Sequence, residues 1–262
     1  MDRYGRLQLI KVLISKYLHN RFFALCLASI MLAGCNGMFD GIYDEPVRDE
    51  ALQMGFNPTT QEGRYTLILD ARKYDEWIYL DLHRLAIERH PIPATLTGEW
   101  DGKSVWARYN VQGSRYTLLE ERQVDTQAEP EQWDLALHHF DVRTNGGSVL
   151  QTGYTSIDAL PQSAANFASE EFRPDEWTRH QCIVDFSGMF DYNIWYQASP
   201  VNLVLSDWVR MDFSTPPPKY EASRRVYLLR MQDGTVMALH MKSYMSEAGT
   251  KGILTIDVKY PY

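Results

Sequence analysis

Two histidines stand side by side in an apolar run, His138 and His139 of "WDLALHHFDVRTNGG" (133–147). Imidazoles ligate metals and move protons, so their spacing decides what such a pair can do. A strand over 133–142 sends successive side chains to opposite faces. The two rings then cannot share one metal unless a bulge intervenes. On that reading Trp133, Leu135, Leu137 and His139 share one face, and Asp134, Ala136, His138, Phe140 and Val142 the other. Apolar residues on both faces point to a central, covered strand whose histidines are satisfied by hydrogen bonds. "TNGG" then supplies residues tolerant of positive φ for a turn.

Other candidate chemistry is sparse. His83 and His90 in "HRLAIERH" are seven residues apart. In a helix that is about two turns, too far for one zinc, and the segment reads as a loop after a strand. The chain has no G-x-S-x-G, P-loop, H-E-x-x-H or C-x-x-C pattern,. Asp and Glu are plentiful, but no spacing pairs two of them across a cleft. The expectation is a protein that is not an enzyme.

Cysteine usage defines a leader. Arg3, Arg6, Lys11, Lys16 and Arg21 precede the apolar run "FFALCLASIMLAG", which ends at Leu32-Ala33-Gly34-Cys35. That run is too short to span a bilayer and has the length of a signal-peptide core. Small residues before Cys35 resemble a bacterial lipobox, with Cys35 as the lipid-bearing thiol. The basic region is longer than such leaders need, which points to a start codon downstream. Cys26 leaves with the leader, so Cys182 remains alone and makes no intramolecular disulfide,. Its neighbours Ile183 and Val184 argue for a buried, inert thiol.

Removal of residues 1–34 takes away five basic groups and one acidic group. It leaves 21 basic and 33 acidic residues, a formal charge of -12 against -8 for the full chain. No clustered cationic excess is available for nucleic acid. Attachment to a membrane rests on the lipid anchor alone, because an acidic domain is not drawn to anionic headgroups.

The elements that must position any site are strands. Residues 35–62 are rich in Gly, Asp, Asn and Pro and read as a tether,. From 63 to 262, short runs rich in Val, Ile, Leu, Tyr and Trp alternate with turn signals, which gives one antiparallel all-β domain. In "GILTIDVKY", Leu254, Ile256, Val258 and Tyr260 form the inward set. Asp233-Gly234 suits a type I′ hairpin turn. The stretch 158–177 is the main interruption and reads as a loop with a helical turn.

"LDARKYDEWIYLDL", "WDLALHHFDVRTNGG", "VDFSGM", "LSDWVRMDFSTPPPKY", "RRVYLLRMQDGT" and "KGILTIDVKYPY" together resemble the HmuY family of haem-binding lipoproteins of Bacteroidetes. The likeness covers about 64–262. It implies an outer-membrane or surface lipoprotein that captures haem and passes it to a TonB-dependent receptor. Members hold haem iron between two axial histidines or methionines from the C-terminal half. The family motif "SGM" falls on Ser187-Gly188-Met189, which makes Met189 the first candidate ligand; a thioether is a soft donor suited to haem iron. A packing role for Met189 is the alternative. Positions matching the second ligand carry Phe213 and Pro216, neither of which coordinates iron. Met211 is the nearest substitute, offset by two residues, with His180 and His240 behind it. Two other readings stay open. Tyr192, Trp195, Tyr196 and Phe213 can line a cleft for another planar apolar ligand, or the protein binds a partner and no small molecule.

Overall fold

The computed structural model describes residues 53–212 and 219–262, with Met211 and Asp212 described by their backbone only. The segment read as a leader, Cys35, Phe213 and Pro216 lie outside the described residues. Strands run in chain order as β1 (Gly55–Pro58), β2 (Arg64–Asp70), β3 (Glu76–Asp81), β4 (Ala86–Pro91), β5 (Val105–Gln112) and β6 (Arg115–Gln123). They continue as β7 (Leu135–His138), β8 (Asp141–Thr144), β9 (Ser148–Gln151), β10 (Arg173–Pro174), β11 (Glu176–Gly188) and β12 (Asn193–Val201). The last are β13 (Val209–Asp212), β14 (Lys219–Ala222), β15 (Val226–Arg230), β16 (Val236–Met245) and β17 (Lys251–Lys259). The pairings are antiparallel, as the alternating patterns require. Strand structure starts earlier than expected: β1 lies inside the 35–62 segment read as a tether and pairs with β2. Among the described residues no helix is long and apolar enough to cross a membrane.

Three sheets stack in layers. A seven-stranded sheet runs β1-β2-β17-β16-β15-β9-β10, a second runs β4-β3-β7-β8, and a third runs β11-β12-β5-β6. The second sheet is the middle layer, and its side chains show why. Ile78 and Leu80 of β3 and Leu135 and Leu137 of β7 pack with Leu67, Leu239 and Ile256 of the seven-stranded sheet. Trp77 and Tyr79 of β3 and Ala136 of β7 pack the other way, against Cys182, Val184 and Val201 of the third sheet. A strand covered on both faces has no polar face to show, which is why "EWIYLDL" lacks alternation. In β17, Leu254, Ile256 and Val258 are buried as expected.

The 158–177 interruption covers the outer face of the seven-stranded sheet. Its 3-10 turns Ile157–Ala159 and Ala164–Phe167 bring Ile157, Leu160 and Phe167 onto Val226, Leu228 and Ala238. Hence β15 is apolar on both faces: Tyr227 and Leu229 point to the main core, Val226 and Leu228 to this cover.

Two expectations are corrected. Residues 133–142 are not one strand. β7 ends at His138 and β8 starts at Asp141, with His139 and Phe140 forming a two-residue turn in which His139 has φ +58°. His138 and Asp141 face each other across that turn. Nor is Asp233-Gly234 a type I′ turn. Gly234 N–H donates to Met231 O, Met231 N–H to Thr235 O, and of these residues only Gly234 has positive φ. That is a three-residue loop closed by a glycine bulge.

Candidate ligand-binding site

The turn at His139 meets the loop between β2 and β3. His138 Nε2 lies 2.9 Å from the Tyr74 carbonyl, and His139 Nδ1 2.8 Å from the Ala71 carbonyl. A carbonyl only accepts, so both nitrogens are donors and His139 Nε2 is left as an acceptor. That acceptor receives two hydroxyls, Tyr74 at 2.7 Å and Tyr244 closer still. Burial lowers the His139 pKa to about 4, with the Ala71 hydrogen bond opposing. His139 is therefore a neutral structural hub, and its one lone pair is engaged.

Around this hub the rings form a half-buried aromatic cluster. Tyr74 lies 4.2 Å from His139 and 4.8 Å, edge-on, from Phe186 of β11. Phe140 lies 5.1 Å from His139. Tyr244 stacks on Tyr220 of β14 at 5.1 Å with an interplanar angle of 19°. Burial drives the Tyr74 and Tyr244 hydroxyls above their ordinary pKa, so both remain donors at neutral pH.

Each candidate ligand is linked to one member of this cluster, by strand register or by sequence. Met211 in β13 is the register partner of Tyr220. Met189 follows Phe186 by three residues and opens the 3-10 turn Met189–Asp191 that joins β11 to β12. Its side chain is 48 % exposed and Phe190 beside it 92 %. Tyr192 closes the turn in the left-handed region, and its N–H donates to Met189 O at 3.0 Å. The thioether is presented outward, not spent on core packing.

Other candidates are not brought to this place. Trp195 lies under the guanidiniums of Arg122 and Arg108, at 4.8 and 5.5 Å. Tyr196 packs with Tyr109 and Tyr116 on the outer side of the third sheet, and His180 sits against Tyr116. The structure therefore does not gather Tyr192, Trp195 and Tyr196 around one cleft. His240 faces Asp257 at 3.8 Å. His83 and His90 are apart, His90 near Glu88 and His83 between Asp134 at 3.3 Å and Asp233 at 3.6 Å, in a cleft of about 310 Å³ that Trp133 and Met231 also line.

The family model for HmuY protein matches residues 73–258. The chain belongs to the HmuY family. Among solved structures, it is similar to a Bacteroides fragilis protein described as a lipoprotein, at 35% identity, over 80% of this chain and 96% of that one, with TM-score 0.60. A Bacteroides vulgatus protein described as an HmuY-like haem-binding protein matches at 31% identity, over 80% and 99%, with TM-score 0.58. The HmuY analogue of Tannerella forsythia, solved in its apo form, shares the fold at 20% identity, over 74% and 94%, with TM-score 0.55. No curated protein sequence matches the chain.

Two of the HmuY-like stretches thus interlock. "LDARKYDEW" supplies Ala71 and Tyr74, and "ALHHFD" supplies the histidines that bind them. Sequence reasoning missed Arg143 of the same motif. It is buried beside Trp77, Tyr79 and Trp133, 4.7 to 5.3 Å from each ring, and pairs with Glu129 at 2.8 Å. Its strand, Asp-Val-Arg-Thr, is largely polar in sequence yet wholly buried, so no local pattern marked Arg143 as an interior residue,.

Proposed function

We propose that this HmuY-family chain is a lipid-anchored surface protein that binds haem as cargo and hands it to an outer-membrane TonB-dependent receptor. It acts as a carrier and not as an enzyme. The observation that carries the reading is Met189: a thioether held outward on a short turn, three residues from the aromatic cluster of Tyr74, Phe186, Tyr220 and Tyr244. A porphyrin needs an apolar, planar surface and a soft axial donor, and these residues fit both needs. Met189 would supply the donor. Met211, beside Tyr220 in register, is the candidate for the opposite side. His139 is not available as a ligand, because both its nitrogens are engaged. The relative from Bacteroides vulgatus described as haem-binding supports the cargo, and the lipoprotein from Bacteroides fragilis supports the anchor at Cys35.

Haemin titration tests this. The expected result is a Soret band that saturates near one equivalent and weakens in Met189→Ala. The absence of a spectral change at micromolar haemin would reject it. A second reading, another planar apolar ligand, is favoured by Phe213 and Pro216 standing at the positions of the second family ligand. Haemin-negative protein that still quenches its tyrosine and tryptophan emission with a metal-free porphyrin would support that alternative.

A further inference from the structure

The interface between the middle and third sheets holds a polar cluster that haem binding does not use. His138, Asp141 and Cys182 are 0 %, 2 % and 0 % exposed. A ring nitrogen, a carboxylate oxygen and the thiol sulfur lie within 4.8 Å of one another. β7 and β8 bring the first two together as the pair flanking the His139 turn, and β11 brings the third from the facing sheet.

Hydrogen-bond accounting fixes how His138 is oriented. Nε2–H donates to the Tyr74 carbonyl, which in the neutral imidazole leaves the lone pair on Nδ1. Nδ1 has no hydrogen-bond partner and faces Asp141 Oδ2 at 3.7 Å. Asp141 Oδ1 is also without a hydrogen-bond partner. Two buried acceptors turned toward each other need a shared proton or a cation between them. The nearby Arg143 is already committed to Glu129, the Tyr79 hydroxyl and three aromatic rings. A backbone carbonyl on the far imidazole nitrogen is the outer-shell partner that metal-ligating histidines carry. The 3.7 Å separation also matches two ligand atoms set about 2.0–2.3 Å from one tetrahedral ion, which stand roughly 3.3–3.8 Å apart.

We infer that His138 Nδ1, Asp141 Oδ2 and Cys182 Sγ form a buried site for a thiophilic divalent cation of the zinc class. On binding, the Cys182 thiol and the Asp141 carboxyl each release a proton to solvent, and thiolate and carboxylate together neutralise the ion. Burial raises the pKa of both groups, so each resists ionising until a cation is present,.

Cobalt(II) and zinc(II) are the probes. The full chain carries Cys26→Ser and Cys35→Ser, which leaves Cys182 as its only thiol. The metal is added to folded protein and, separately, during refolding from urea, because the site is closed to solvent. About one equivalent of cobalt with a thiolate charge-transfer band, displaced by zinc, is the expected result. Cys182→Ala should abolish the band, and Asp141→Asn should weaken binding by about tenfold or more. The first measurement needs no ligand variant, so a variant that fails to fold does not decide the outcome. No retained ion and no band would overturn the site and leave a proton bridging His138 and Asp141. A band that survives Cys182→Ala would overturn it equally.

Discussion

The Tyr74 hydroxyl lies 2.7 Å from Nε2 of His139, and this contact ties the β2–β3 loop to the β7–β8 turn. In the neutral imidazole Nε2 accepts this bond,. Folding lowers the His139 pKa from 6.5 to about 4, mainly through burial. The unfolded chain takes up a proton near pH 6.5 and the folded chain does not. Stability from this group is therefore complete above about pH 6.5 and is lost as pH falls toward 4, by about 3 kcal/mol in all. Urea midpoints at pH 7.5 and 4.5 check this. His139→Gln should lower stability at pH 7.5 and show a smaller further drop at pH 4.5; an equal drop in both proteins would refute the assignment.

Met189 should matter for ligand and hardly for fold. Its exposed side chain gives up little buried area, so Met189→Ala should change stability by no more than about 0.5 kcal/mol,. The same variant should weaken haemin binding, and Met189→His should restore a Soret band with an altered position. Thermal melts and visible spectra on the same samples separate the two effects.

Gly188 sets where Met189 points. A Cβ there would stand 2.5 Å from the Asn193 carbonyl oxygen and 3.0 Å from Asn193 Cβ. Backbone cannot step aside as a side-chain tip can, so Gly188→Ala should disturb the turn. The expected result is weaker haemin binding than in wild type with the β-sheet circular dichroism retained. Unchanged binding would separate the turn from the site.

Arg143 should be the costliest polar residue of the middle sheet to replace. Glu129, its ionic partner, is 40 % exposed and rehydrates readily. The loss in Arg143→Ala then comes from the ring contacts and the void, about 3 kcal/mol. Arg143→Lys should recover less than half, since an ammonium cannot lie flat against Trp77 and Trp133,. Equilibrium urea unfolding of the three proteins gives the ranking.

The all-β class and the inward set of β17 were legible because period-two alternation is a local property of the chain. The covered character of the "ALHHFD" segment was legible too, since Leu, Ala and Phe on both sides leave no polar face. The chain reversal at His139 was not. Neither His139 nor Phe140 is a usual turn residue, and the left-handed backbone there is held by Ala71, Tyr74 and Tyr244, which come from distant parts of the sequence. For the same reason the aromatic cluster was invisible in sequence: Tyr74, Phe186, Tyr220 and Tyr244 share no spacing. Met189 was reached through a motif, and its exposure through the structure alone.

The seven-stranded sheet joins β2 to β17, with Arg64 opposite Lys259 and Ile253 opposite Asp70. β2 therefore has its inner neighbour about 190 residues further along the chain. Until β17 emerges, β2 presents an unpaired edge, and the sheet has a gap between β2 and β16,. Folding of this layer must wait for β17. A chain truncated before residue 251 would lose that interior strand, not a dispensable end, and would be left with two separated sheet fragments.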